Sequence, residues 1–109
     1  MAKVLLFGLE QTVAAELKPV LNQLGQTVQV SAPGTEVLER TDANIVFAAG
    51  DTLQTVRDAR PELPVVVVSR LPEVRGWLDA LDAGARDYCG APFEATQVRW
   101  VLDSSLRAA

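Results

Sequence analysis

Few side chains in this sequence have the chemistry of a nucleophile or a soft metal ligand. The chain contains no histidine and one cysteine, Cys89. A thiol reacts as the thiolate, which needs a nearby cation or helix N-terminus to lower its pKa. Cys89 falls in a segment that we expect to form a buried strand, and nothing cationic in the pattern marks it as activated. We therefore expect an unreactive thiol, and a single cysteine excludes an internal disulfide.

A glycine-rich loop that could hold a phosphate is also missing. The stretch Phe7–Thr12 follows an apolar run and contains one glycine, Gly8. A dinucleotide-binding loop uses three glycines to bring the backbone close to the pyrophosphate. Ala48–Gly50 is small enough to admit a ligand, so a nucleotide or flavin sensor is an alternative function. No pattern points to a resident cofactor, and we predict none.

The charge balance excludes several kinds of partner. The 109 residues include 10 Lys and Arg against 14 Asp and Glu, a formal net charge of −4. The arginines are dispersed among carboxylates, whereas nucleic-acid binding needs clustered cations. The apolar run Val4–Phe7 is too short for a signal peptide, and no stretch reaches the length of a membrane span. We expect one cytoplasmic domain over residues 1–109 that binds neither a membrane nor, by itself, nucleic acid.

Short apolar runs along the chain predict the strands of a parallel sheet. Val4–Phe7, Ile45–Ala49 and Val65–Val68 are apolar at consecutive positions. Such runs suit strands that are buried on both faces. Thr27–Val30 alternates between polar and apolar residues, which predicts an edge strand. Asp87–Cys89 is a weaker candidate for a last strand.

Segments of helical period separate these runs. The apolar stripes are Val13, Leu17, Leu21 and Leu24 in the first helix, Val74, Trp77, Leu78 and Leu81 in the fourth, and Val98, Leu102 and Leu106 in the last. Thr35–Arg40 is a candidate second helix, and Leu53 and Val56 mark a short third one. A strand–helix unit repeated five times predicts an α/β fold with helices on both faces of a parallel sheet.

Two local features raise specific expectations. Pro19 falls within the first helix, where it should remove one hydrogen bond and kink the segment, unless the helix is two pieces. Asp51 or Thr52 is expected to cap the third helix with its side chain, since both residue types favour that position. We favour this capping role for Asp51 over a role as a displaced phosphoacceptor.

The C-terminal third carries a resemblance to a known family. Leu81–Phe93 reads LDAGARDYCGAPF, Pro64–Ser69 reads PVVVVS, and Lys3–Phe7 reads KVLLF. In this order they resemble the last strand and its flanks, the fourth strand and the first strand of response-regulator receiver domains, over nearly the whole chain. The resemblance implies a flavodoxin-like (CheY-like) doubly wound sheet of five parallel strands in the order 2-1-3-4-5.

The departures from the family concern the residues that bind metal and phosphoryl groups. Receivers have an acidic pair for magnesium after the first strand, where this chain has Gly8 and Leu9, with Glu10 one place late. The phosphoacceptor aspartate at the end of the third strand corresponds to Ala49, and the lysine before the last proline to Ala91. Acyl-phosphate formation needs a carboxylate nucleophile, metal-binding carboxylates and a cation. We therefore predict a pseudo-receiver that is not an enzyme and holds no catalytic metal.

Two family positions keep their residue types. Ser69 and Tyr88 match the hydroxyl and aromatic residues that move together when a receiver is phosphorylated. Here the pair either still switches in response to a partner, or Ser69 only ends a strand while Tyr88 packs against the last two helices with its hydroxyl in water. A switch needs two states and a ligand that distinguishes them.

Large aromatic residues suggest an interaction surface. Trp100 points off the apolar stripe of the last helix. Trp77 shares the stripe of the fourth helix, which fits burial, yet its receiver position lies toward the outer face beside Tyr88. Receivers use the face of the fourth helix, last strand and last helix to dimerise or dock partners. We predict a phosphorylation-independent signalling module that uses this face for a protein partner or homodimer; the alternatives are the ligand sensor and the N-terminal regulatory domain of a longer transcription regulator.

Overall fold

Five strands form one sheet at the centre of the fold. The structure, a computed structural model, describes residues 2–69, 74–90 and 92–107, without the side chains of 74–77 and 107. The strands are β1 (Lys3–Phe7), β2 (Thr27–Ser31), β3 (Ile45–Ala49), β4 (Val65–Ser69) and β5 (Asp87–Gly90). Every hydrogen-bonded pair is parallel and the order is β2-β1-β3-β4-β5. The predicted doubly wound fold and its strand order are confirmed.

Helices connect successive strands. They are α1 (Gln11–Gln23), α2 (Thr35–Arg40), α3 (Leu53–Ala59), α4 (Val74–Asp82) and α5 (Ala95–Arg107), with a 3₁₀ turn over Gly50–Thr52 ahead of α3. The short second helix and the weak last strand, both uncertain in the sequence, are present. Within the described residues, no helix is long and apolar enough to cross a membrane.

The sheet separates two apolar cores. Because side chains alternate along a strand, Val4 and Leu6 of β1 face one side, with α1 and α5, whereas Leu5 and Phe7 face the other side. The first core includes Leu17, Leu21, Phe47, Val66, Cys89, Val98 and Leu102, and the second includes Leu38, Val46, Leu53, Val56, Val65, Val67 and Ala80. Burial on both faces explains why β1, β3 and β4 read as continuous apolar runs.

Strand β2 lies at an open edge, as its alternating sequence predicts. Val28 is half-buried against the first core, and 51% of Val30 is exposed. Thr27 and Gln29 are exposed on the opposite face. One side of the strand pairs with β1 and the other has no strand neighbour in the described sheet.

Pro19 does not divide the first helix. α1 runs without interruption from Gln11 to Gln23 with Pro19 inside it. Proline lacks the N–H that would bond to the carbonyl of Ala15. Both residues are exposed, so water can serve that carbonyl.

One apolar position of α4 is misassigned by the sequence pattern. Leu78, expected in the buried stripe, is 50% exposed, whereas Ala80 is buried and Leu81 is half-buried. The helix places the small side chain of Ala80 against β4 and β5, so its larger neighbour faces outward. The sequence pattern placed Leu78 in the buried stripe because leucine is a large apolar residue.

Candidate functional site

The C-terminal ends of β1, β3 and β4 define the candidate site. In a doubly wound parallel sheet, ligands bind at this edge, where the strand order reverses between the first and third strands. Phe7 pairs with Ala48 and Ala49 pairs with Val68, so Gly8, which follows β1, and Ala49, which ends β3, lie at the ends of neighbouring strands. Ser69 pairs with Gly90, which brings the end of β4 beside the end of β5.

Gly8 has a backbone conformation that excludes most other residues. Its φ is +65°, in the left-handed region, and its N–H donates to the carbonyl of Ser31 at 3.0 Å. A Cβ at this position would lie 3.0 Å from Cγ2 of Thr52 and 3.6 Å from Cβ of Pro33. The conformation disfavours any L-residue with a side chain, and Thr52 occupies the space that the side chain would need.

Thr52 is held over Gly8 by its own hydrogen bond. The 3₁₀ turn Gly50–Thr52 folds back toward β3, and the Thr52 hydroxyl donates to the carbonyl of Ala49 at 2.8 Å. The expected side-chain cap is therefore wrong: Thr52 precedes α3, but no side-chain hydrogen bond caps that helix, and Asp51 is exposed in the turn. The sequence carries no signal for this contact, because a threonine ahead of a helix reads as a cap.

The other positions matching the receiver metal site are apolar or outside the site. Leu9 is half-buried and packs against the core formed with α1 and α5. Glu10 is exposed immediately before α1. Ala49 ends β3 and is half-buried, and Ala91 lies outside the described residues. Across 2–69, 74–90 and 92–107, no group of three or more Cys, Asp or Glu side chains could hold a metal ion.

Ser69 and Tyr88 come together in a cleft. Both line a cavity of about 400 Å³, whose other lining residues are Gly50, Leu53, Val67, Val68, Asp79, Ala80 and Ala83. Tyr88 is half-buried and packs against the core on the side of α2, α3 and α4. Sequence reasoning also missed Asp79, the charged residue among the described lining residues.

The surface over α4, β5 and α5, here called the α4–β5–α5 face, exposes two large apolar side chains. Trp100 is 67% exposed on α5, and Leu78 is 50% exposed on α4. Gln97, Trp100 and Ser104 are exposed and spaced by three and four residues, so they follow one side of α5. The backbone of Trp77 belongs to α4, but its side chain is not among the described parts of the structure.

Cys89 is buried, as expected from its strand. Its side chain is fully inaccessible in the core between β5 and α5. Burial and, to a smaller extent, the nearby Asp87 carboxylate together raise the pKa of the thiol from 9.0 to about 12. A thiol of this pKa is protonated at neutral pH and is a poor nucleophile.

Solved structures of receivers share this fold. NtrX from Brucella abortus matches at a TM-score of 0.84 and 20% identity over 98% of this chain and 27% of its own. The receiver domain of the Francisella response regulator 1452 matches at 0.81 and 18% over the full length of both chains. A Burkholderia pseudomallei response regulator, with a phosphorylated aspartic acid and a calcium ion, matches at 0.78 and 13% over 99% of this chain and 70% of its own.

These similarities establish the fold of the chain. No protein-family model matches the sequence, and no curated protein matches it. The chain spans about a quarter of the length of NtrX, 27%. At identities of 20% or less, the shared feature is the arrangement of the backbone, whereas function depends on the residues at the site.

Proposed function

We propose that this chain is a receiver-fold interaction module that works without phosphorylation and docks a protein partner, or a second copy, through the α4–β5–α5 face. The observation that supports phosphorylation independence most strongly is at Gly8. An acidic residue at this position, as magnesium binding would need, would have to adopt a left-handed backbone. Its Cβ would also lie 3.0 Å from the methyl group of Thr52. The local fold therefore disfavours an acidic side chain at position 8.

The chemistry supports the same conclusion. Phosphoryl transfer to an aspartate requires a nucleophilic oxygen, and Ala49 ends β3 with a methyl group. It also requires cations that neutralise the transferring group, and Gly8 and Leu9 supply no ligand for a metal. We therefore propose that the module has no phosphoryl-transfer activity. We also place it in the cytoplasm, where a lone thiol such as Cys89 stays reduced.

Incubation with acetyl phosphate and Mg²⁺ is expected to leave the mass of the intact chain unchanged. The Ala49→Asp variant should also stay unmodified, because a restored nucleophile still lacks the metal-binding carboxylates. Intact-mass spectrometry measures the gain of one phosphoryl group, and a receiver domain with all its acidic residues serves as the positive control. A stable phosphoryl adduct on the wild-type chain would refute the proposal.

The exposed side chains support the choice of face. Large exposed apolar side chains often mark interaction sites, and Trp is enriched among the residues that dominate binding energy. Trp100 and Leu78 lie on the two helices that flank β5, the last strand of the sheet. Arg99 and Asp103 are exposed on α5 and could form the polar rim of such an interface.

A photo-crosslinking amino acid in place of Ser104, which is exposed on the same side of α5 as Trp100, is expected to capture a partner in the cells from which the chain comes. The same group in place of Thr55, exposed on α3, is the matched control. For the purified partner, Trp100→Ala should weaken binding about 30-fold, the effect of losing a central aromatic anchor of about 2 kcal/mol, whereas Thr55→Ala should leave it unchanged. Equal crosslinking at both positions, or equal affinities, would exclude this face.

The cleft beside Ser69 and Tyr88 is the feature that favours a ligand sensor. Its volume of about 400 Å³ is large enough for a small molecule. Among the residues that the structure describes, its lining contains one carboxylate, Asp79, and no Lys or Arg. This described lining gives no anchor for the phosphate groups of nucleotides and flavins, so we favour the interaction module. A role as the regulatory domain of a longer transcription regulator is compatible with the interaction module.

A further inference from the structure

The backbone of β2 presents hydrogen-bonding groups to an open edge. Thr27 donates its N–H to the carbonyl of Ala2 at 3.1 Å, and Ser31 accepts from the N–H of Gly8 at 3.0 Å. The N–H and C=O of one strand residue point to the same side, and the side alternates along the strand. Since Thr27 and Ser31 face β1, Val28 and Val30 direct their N–H and C=O groups away from the sheet.

This edge lacks the usual protection against pairing. Native proteins blunt edge strands with lysine, proline or a bulge. The five residues Thr27–Ser31 contain no charged residue and no proline, and they pair with β1 in register without a bulge. Val30 is 51% exposed in the middle of this uncharged strand. The edge therefore offers both hydrogen bonds and apolar surface to another strand.

We propose that β2 is a second interaction surface, separate from the α4–β5–α5 face, and that its occupant is β2 of another copy of this chain. An antiparallel pair centred on Gln29 places Val28 opposite Val30 of the other copy. The backbone N–H and C=O groups of both valines point away from their own sheet, so each Val28–Val30 pair exchanges two hydrogen bonds. The twofold axis creates two such pairs and therefore about four hydrogen bonds in total. The five-stranded sheets join into one continuous sheet.

The side chains around the edge fit a copy of the same chain. On the α1 side, the exposed Val30 lies beside the other copy's Val28, which buries apolar surface. On the opposite side, Gln29 lines a groove of about 410 Å³ with Glu36 and Arg40 of α2. A twofold axis reverses the direction of α2, so that Glu36 of one copy approaches Arg40 of the other.

The balance of charge in this groove favours a copy over a partner of one sign. Its other lining residues include Lys3 and Asp42, which form an ion pair at 2.6 Å. Together with Glu36 and Arg40, the groove carries two groups of each sign. A surface that carries both signs can be complementary to itself under a twofold axis when opposite charges meet across it, as proposed for Glu36 and Arg40.

The test is the mass of the full chain in solution as a function of concentration. Light scattering from about 10 µM to about 1 mM, the range of a small and reversible interface, is expected to show the mass rising toward that of a dimer. Val30→Lys should remain monomeric throughout, because it places a charge at the centre of the pair. Thr55→Lys makes the same change of charge on exposed α3 and should dimerise as the wild type does, as should Trp100→Ala.

Amide hydrogen exchange identifies the interface within the dimer. The outward N–H groups of Val28 and Val30 should exchange at least about tenfold more slowly at high than at low concentration, and Val30→Lys should abolish this difference. The inward N–H of Gln29 is the internal reference, since it is protected in the monomer. A mass that stays monomeric, a dimer that survives Val30→Lys or is lost in Trp100→Ala, or unchanged exchange at Val28 and Val30 would overturn the inference.

Discussion

Gly8→Ala is expected to lower the free energy of unfolding by about 3 kcal/mol. A left-handed backbone costs a non-glycine residue about 1–2 kcal/mol, and the forced contact between the new Cβ and Cγ2 of Thr52 adds about 1–2 kcal/mol more. The separation of 3.0 Å requires the Thr52 side chain to move by a few tenths of an ångström. Denaturant unfolding followed by circular dichroism measures the change.

Two other glycines separate the two contributions. Gly25 has a φ of +83° with open space around its Cβ position, so Gly25→Ala should lose about 1 kcal/mol from backbone strain alone. Gly34 has an extended φ of 172° and equally open space, so Gly34→Ala should be nearly neutral. In the Gly8→Ala background, Thr52→Ser removes the methyl group, retains the hydroxyl that bonds to Ala49, and should recover about 1 kcal/mol. If Gly8→Ala costs no more than Gly25→Ala, Thr52 does not obstruct the position.

This stability effect bears directly on function. If Gly8 cannot accept a side chain without loss of stability, then Gly8→Asp together with Ala49→Asp restores carboxylates only at the expense of the fold. The backbone at Gly8 would then disfavour an acidic side chain, which supports the proposal that the module depends on contacts alone.

Between pH 9 and pH 12, the wild-type chain is expected to lose up to about 4 kcal/mol more stability than Cys89→Ala. The folded state holds the thiol proton until about pH 12, whereas the unfolded chain releases it near pH 9.0. Unfolding therefore releases a proton in this window, and the stability falls as the pH rises. A shift of about 3 pKa units corresponds to about 4 kcal/mol.

The comparison with Cys89→Ala isolates the contribution of the thiol from that of the rest of the chain. Unfolding free energies of both proteins at pH 7, 9, 10 and 11 give the difference as a function of pH. Below pH 9 the difference should be constant, because the thiol is protonated in both states; it then reflects only the lost packing of the sulfur. Parallel curves through pH 11 would show that burial does not shift the thiol pKa in the folded chain.

Much of the fold follows from patterns along the chain. The consecutive apolar residues of β1, β3 and β4 predict strands covered on both faces, because a polar side chain in either face would lose its water. The alternation over Thr27–Val30 predicts an exposed edge. The resemblance at Leu81–Phe93 implies the strand order that the structure confirms. The residue types at Gly8, Leu9 and Ala49 are enough to predict the absence of receiver chemistry.

The contacts between distant segments required the tertiary structure. Thr52 reads as a helix cap, and only the return of the 3₁₀ turn toward β1 places its methyl group over Gly8, 44 residues away in the chain. Leu78 reads as core because of its size, but the space between α4 and the sheet accepts Ala80 instead. Sequence patterns report the average environment of a residue within its own strand or helix. Which atoms meet across the sheet edge depends on the packing of separate elements, and that packing decides what this site can bind.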